Sequence, residues 1–184
     1  MSRQHLIERE LVQLEGGAFQ KLAEAYIYRR LDLKSITTLG SQPGTNKTTK
    51  GTPDAHSFTD CDAILIPFTT AQCDSYKKLK KDIQDCVSTR IPKGFNRRIV
   101  CCHLVWRLTA EQEGKLIALD PRVELIGPKT ITLDLANKYR DLAADYLHVR
   151  MGVDALITPS EWVKREERKG YATPQSRELR QRTK

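Results

Sequence analysis

No apolar stretch in the 184 residues approaches the length of a membrane-crossing helix. The longest, Ala63 to Ile66 running into Phe68, falls far short of the ~20 residues needed, which excludes a transmembrane segment. The N-terminus has Glu8 and Glu10 where a signal peptide would carry its apolar segment, so export is not expected. Cysteine is sparse and unpatterned: five residues, an odd number, with Cys101 and Cys102 adjacent and no C-x-x-C spacing among Cys61, Cys73 and Cys86. Neither a disulfide framework nor a zinc site follows, and reduced, buried thiols in a cytoplasmic protein are the expectation. Aromatic residues are few, and Trp106 and Trp162 stand alone, without the interleaved basic pattern of a base-stacking platform. Gly and Pro are too few for collagen or a low-complexity chain, and no internal repeat is present.

What remains is the composition of a globular protein, of a length that folds around one core and buries roughly 70% of its unfolded surface. The net charge is +8, which favours polyanionic partners. Much of it sits at one end. Between Lys164 and Lys184 there are eight basic and three acidic residues, so the body is only mildly basic. The chain divides into a folded domain over residues 1–169 and a basic, loose tail over 170–184.

Periodicity orders the elements. Leu6, Ile7, Leu11 and Leu14, then Phe19, Leu22, Ala23, Tyr26 and Ile27, recur at helical spacing on either side of Gly16-Gly17, giving one long helix or two meeting at the glycines. Ile36 to Leu39 reads as a short strand leading into a polar loop. Asp62 to Thr70 has the length and composition of a buried strand, with Pro67 anomalous because proline is largely confined to edges, ends and bulges. Ser75 to Val87 presents Leu79, Ile83, Cys86 and Val87 on one helical face among lysines. Arg98 to Val105 is a second apolar run, expected to be a central strand. Thr109 with Gln112 is a capping-box signature opening a helix toward Leu119. Val123 to Ile126 reads as a strand, Thr132 to Leu147 as a helix, and Ser160 to Lys169 as a last short helix. This order describes an α/β protein, a mixed sheet flanked by helices.

Chemistry concentrates at Gly51-Thr52-Pro53-Asp54, which follows a loop carrying Lys47 and Lys50 and precedes the buried strand. Asp54 and the middle of that strand can share one sheet end, where a carboxylate suits a hard divalent cation. A Pro-Asp pair is otherwise an ordinary turn or helix-cap dipeptide. The arrangement resembles the PD-(D/E)XK restriction-endonuclease-like nucleases. More specifically, the segments LEGGAFQKLAEAYIYRRL, TTLGSQPGTNKTTKGTPDA, FTTAQ, YKKLKKDIQDC, CCHLVWRLT, DLANKYRDLAADYLHV and KGYATPQS resemble, in the same order, the N-terminal nuclease domain of some bacterial antiviral STAND NTPases.

That resemblance implies a restriction-endonuclease-like fold and a DNA-cleaving effector that uses Mg²⁺ or Mn²⁺. It also implies self-association or control by a downstream STAND NTPase region. Asp54 matches the first metal ligand, and Thr69 and Thr70 match two threonines of the family's strand motif. Gln72 matches its terminal glutamine if Ala71 is an extra residue. Pro67 stands where the family has glutamate, which removes one expected carboxylate. Glu15, Gln20 or Glu24 is the candidate contribution from the first helices, with Glu24 the candidate second metal ligand. Asp60 and Asp62 are further candidates, although Asp62 lies roughly 16 Å from Pro67 along a straight strand. Lys50 is the candidate for the missing motif lysine, with Lys47 beside it.

Lys77, Lys78 and Lys81 read as a solvated helix face or, on a nuclease, as a track for DNA phosphates. His56 alternates onto the same strand face as Asp54 and is a candidate water-positioning group. His103 reads as a hydrogen-bonded core histidine. Two functions stay open: a metal-dependent endonuclease weakened by the loss of the motif glutamate, and a catalytically silent module that binds nucleic acid or mediates assembly.

Overall fold

The computed structural model describes residues 2–39, 53–70, 74–147 and 149. The loop with Lys47 and Lys50, Gln72, the helix expected at 160–169 and the basic tail lie outside these residues. Among the described residues no helix is long and apolar enough to cross a membrane.

Two helices open the chain, α1 (Arg3–Gln13) and α2 (Gly16–Arg30). They separate at Leu14 and Glu15, whose backbones are extended. The glycines thus begin the second helix rather than hinge the first. Strand β1 (Thr37–Thr38) pairs antiparallel with β2 (Ala55–Phe58), which pairs antiparallel with β3 (Asp62–Ile66). After Pro67 comes β4 (Phe68–Thr69), then α3 (Ser75–Ser88), β5 (Asn96–His103), α4 (Ala110–Ile117), β6 (Val123–Ile126), α5 (Pro128–Asn137) and α6 (Arg140–Leu147). Both β3 and β4 run parallel to β5, and β6 runs parallel to its other edge, so β5 is central as its apolar composition predicts. The result is an open, mixed α/β sheet flanked by helices.

Pro67 does not break the register. Pairing runs from Asp62 with Asn96 through Leu65 with Ile99 to Phe68 with Cys102 and Thr69 with His103. The Pro67 carbonyl still accepts the Cys102 N–H at 3.1 Å. β3, Pro67 and β4 are therefore one strand lacking a single donor, and β2 ends its pairing with this strand at Ile66.

Alternation assigns the two faces. Leu65, Ile99, Cys101 and Val123 pack with Leu79, Ile83 and Cys86 of α3 and Leu116 of α4. On the opposite face, α1, α2, α5 and α6 pack with one another, with Ile7, Leu11, Phe19, Leu22, Tyr26, Ile131 and Leu135 buried there. A polar network crosses that layer. The Tyr26 hydroxyl donates to Asp134 at 2.7 Å, the Arg30 guanidinium pairs with the same carboxylate, and Arg98 reaches Glu124 of β6 at 2.9 Å. The helix expected over 132–147 is two helices, because Pro128 starts α5 earlier and the Asp134 carbonyl accepts both the Lys138 and Tyr139 N–H groups at its end.

Candidate functional site

Where β2 stops pairing with the strand that contains Pro67, the next free donor is the Phe68 N–H. Asp54 supplies its acceptor: Oδ2 lies 2.7 Å from that nitrogen. One residue further, the buried Thr69 hydroxyl donates to Oδ2 of Asp82 at 2.8 Å. Two carboxylates from different elements are thus held by consecutive residues of β4. Lys78, one helical turn before Asp82, places Nζ 2.6 and 2.7 Å from the two Asp82 oxygens. Sheet alternation agrees with this grouping. His56 of β2 pairs with Leu65, so Asp54, His56, Leu65 and Thr69 all face α3.

Burial raises the Asp54 pKa above the usual carboxylate value. The Phe68 N–H opposes that rise, the charge of Asp82 adds to it, and Lys78 offsets part of it. Asp54 and Asp82 therefore sense each other across the end of the sheet. Burial likewise pushes the neighbouring Cys86 thiol up to about 12, with the Asp82 and Asp54 charges contributing, which keeps it protonated and unreactive at neutral pH.

The sequence candidates distribute as follows. Asp54 and Thr69 share the site. Lys78 belongs to it through Asp82, whereas Lys77 is exposed and lies 3.7 Å from Asp74, and Lys81 is exposed on the same helix. Glu24 has a different neighbourhood: it lines a cavity of about 290 Å³ with Lys21, Tyr28, Ile36 and Tyr146, and its charge helps raise the Tyr146 pKa after burial. Gln20 is buried, and its Nε2 has no hydrogen-bond partner among the described residues. Asp60 lies 3.8 Å from Lys34, and both side chains are exposed. Asp62 alternates to the face opposite α3. Lys47, Lys50 and Gln72 fall outside the described residues. His103 is buried, its Nδ1 accepts the Val105 N–H at 3.1 Å, and burial lowers its pKa to about 4, so it is a neutral core histidine.

Asp82 is the residue that the sequence reading passed over. Its signal was present, since position 82 falls within the apolar stripe of Leu79, Ile83 and Cys86, where a carboxylate costs free energy unless it is paired. Among the described residues no group of three or more His, Cys, Asp and Glu side chains is placed to hold a metal ion. Two carboxylates alone still fit Mg²⁺ or Mn²⁺, because the smaller hard cations are held by one or two carboxylates, with water and substrate phosphate completing the shell. No family model, curated protein or solved structure matches this chain.

Proposed function

We propose that the chain is a divalent-metal-dependent DNA endonuclease domain, a cytoplasmic antiviral effector of the kind its sequence resembles, in which Asp54 and Asp82 hold the ion. The supporting observation is that adjacent residues of β4 fix these two carboxylates at one sheet end, with an ammonium group beside them. Asp82, on α3, takes the place of the glutamate that Pro67 displaces. The ion would supply Lewis-acid stabilisation of the phosphoryl oxygens and a nucleophilic water at neutral pH. Lys78 is the cation whose charge Asp54 already feels, and it would offset negative charge on the phosphate. Thr69 positions Asp82, and the Phe68 N–H fixes the orientation of Asp54. Partners on this reading are DNA and either a second copy or a downstream STAND NTPase region.

A second reading has its own support. Both Asp82 oxygens already have donors, and Asp54 already caps a strand amide. That pattern suits a silent relative that binds nucleic acid or assembles without cutting it. Incubation of supercoiled plasmid with the protein and Mg²⁺ or Mn²⁺, alone and self-associated, separates the two. Nicking that disappears in Asp54→Asn and Asp82→Asn supports the enzyme. Absence of nicking in every condition, or equal nicking by Asp54→Asn, leaves the silent module.

A further inference from the structure

On the face of β2 that carries Asp54, three aromatic rings run away from the site. The His56 ring packs edge-on to Phe58 with centroids 5.4 Å apart, and Phe58 packs edge-on to Phe95 at 5.3 Å. This row is not a closed core: Phe58 is 42% exposed, and His56 and Phe95 are only part-buried. An exposed phenylalanine on a sheet face, braced by two further rings, is a rigid π-surface with room for another ring.

The charge around the row has one dominant sign. Leading into and beside Phe95 the chain carries Arg90, Lys93 and Arg97, and no acidic residue occurs from Cys86 to Ala110. Arg90 and Lys93 sit in the exposed turn that delivers Phe95, and neither forms an ion pair among the described residues. The nearby acids are mostly diverted, since Asp60 pairs with Lys34 and Asp62 faces the other side of the sheet. Asp85 remains as an exposed acid on α3, one helical turn before Thr89, whose carbonyl accepts from Arg97.

We propose that this row is a stacking track for single-stranded nucleic acid, with unpaired bases on Phe58 and its neighbours and the backbone phosphates on Arg90 and Lys93. The track leads along β2 from Phe58 to Asp54. It rests on the nuclease reading only for what happens at Asp54. On that reading, the preferred substrate is a strand whose bases are unstacked, such as a flap, gap or melted end, rather than intact duplex. Duplex bases are already stacked on each other and present no free π-face, so an aromatic row on a sheet gains little from them.

The test is fluorescence anisotropy with a labelled single-stranded DNA 20-mer, the same sequence as duplex, and the matching RNA, all in EDTA so that cleavage does not enter. Single strands are expected to bind at least tenfold tighter than duplex. Phe58→Ala should weaken single-strand binding about tenfold and leave duplex binding unchanged, while Phe58→Trp retains it and guards against a folding defect. Replacing Arg90 and Lys93 with Gln should flatten the salt dependence, and Asp85→Asn should tighten binding. Duplex affinity equal to or above that of the single strand, or single-strand affinity unmoved by Phe58→Ala in a protein that melts like wild type, overturns the proposal. Because the anisotropy is read in EDTA and the metal site by nicking with Mg²⁺ or Mn²⁺, absence of nicking with Phe58-dependent single-strand binding intact removes the metal site alone, and nicking without Phe58-dependent binding removes the track alone.

Discussion

A lysine four residues before an aspartate is the weaker orientation for a helical ion pair, because each charge sits at the end of the macrodipole that disfavours it. Lys78 and Asp82 adopt it nonetheless, with Asp82 almost fully buried and Lys78 half exposed. Such a pair contributes little to the stability of α3 itself. The double substitution Asp82→Leu with Thr69→Val removes both buried polar partners together, so it should leave the urea midpoint unchanged or raised while abolishing metal-dependent nicking. A large drop in midpoint would make Asp82 structural. Asp82→Ala alone strands the Thr69 hydroxyl and should cost about 1–3 kcal/mol in urea titration. The sequence pointed to Asp54 and Thr69 and to one sheet end shared by Asp54 and the strand, but not to the two hydrogen bonds by which β4 holds Asp54 and Asp82. The first depends on where β2 stops pairing, and Asp82 drew no notice because a charged residue among lysines on a helix reads as surface.

At the scale of elements, local chemistry settled what lay within one turn or one strand. The Thr109–Gln112 capping box is present in full: the Thr109 hydroxyl accepts the Gln112 N–H, and the Gln112 side chain accepts the Thr109 N–H. Thr109→Ala should therefore cost about 1 kcal/mol, visible as a fall of a few degrees in Tm. The runs at 62–70 and 98–105 were legible as buried strands because parallel strands covered on both faces stay apolar throughout. Pro67 misled the eye, since a proline suggests an edge or a bulge. Here the register holds across it, and its missing donor is confined to one ladder position beside the end of β2. The split into α5 and α6 was hidden because Leu135, Tyr139 and Leu142 keep helical spacing across the break, while Pro128 marked the true start.

For the whole molecule, buried titratable groups tie stability to pH. His103 has a folded pKa of about 4 against an ordinary 6.5. Below 6.5 the unfolded chain takes up the proton and the folded chain does not, so stability falls as pH drops from 6.5 toward 4, by at most about 1.4 kcal/mol per unit. Asp134 acts in the same direction lower down: burial raises its pKa, but hydrogen bonds from Tyr26 and Lys138 and the Arg30 charge outweigh that and hold it below the ordinary value. Its contribution is present above the ordinary carboxylate pKa and is lost as the folded carboxylate protonates. Thermal melts at pH 7 and pH 5 should show a clear fall, and His103→Gln should reduce that fall; an equal fall in the variant would remove His103 as its cause.

The raised pKa of Asp54 bears on the proposed metal directly, because a ligand carboxylate must be ionised and its proton competes with the ion. Titration of Mn²⁺ into the full chain, with free ion followed by electron paramagnetic resonance, is the most direct measurement. Saturable binding is expected at neutral pH, weakening toward acid above the range of an ordinary carboxylate and lost in both Asp54→Asn and Asp82→Asn. Absence of saturable binding, or binding that either variant leaves intact, contradicts the proposed metal site.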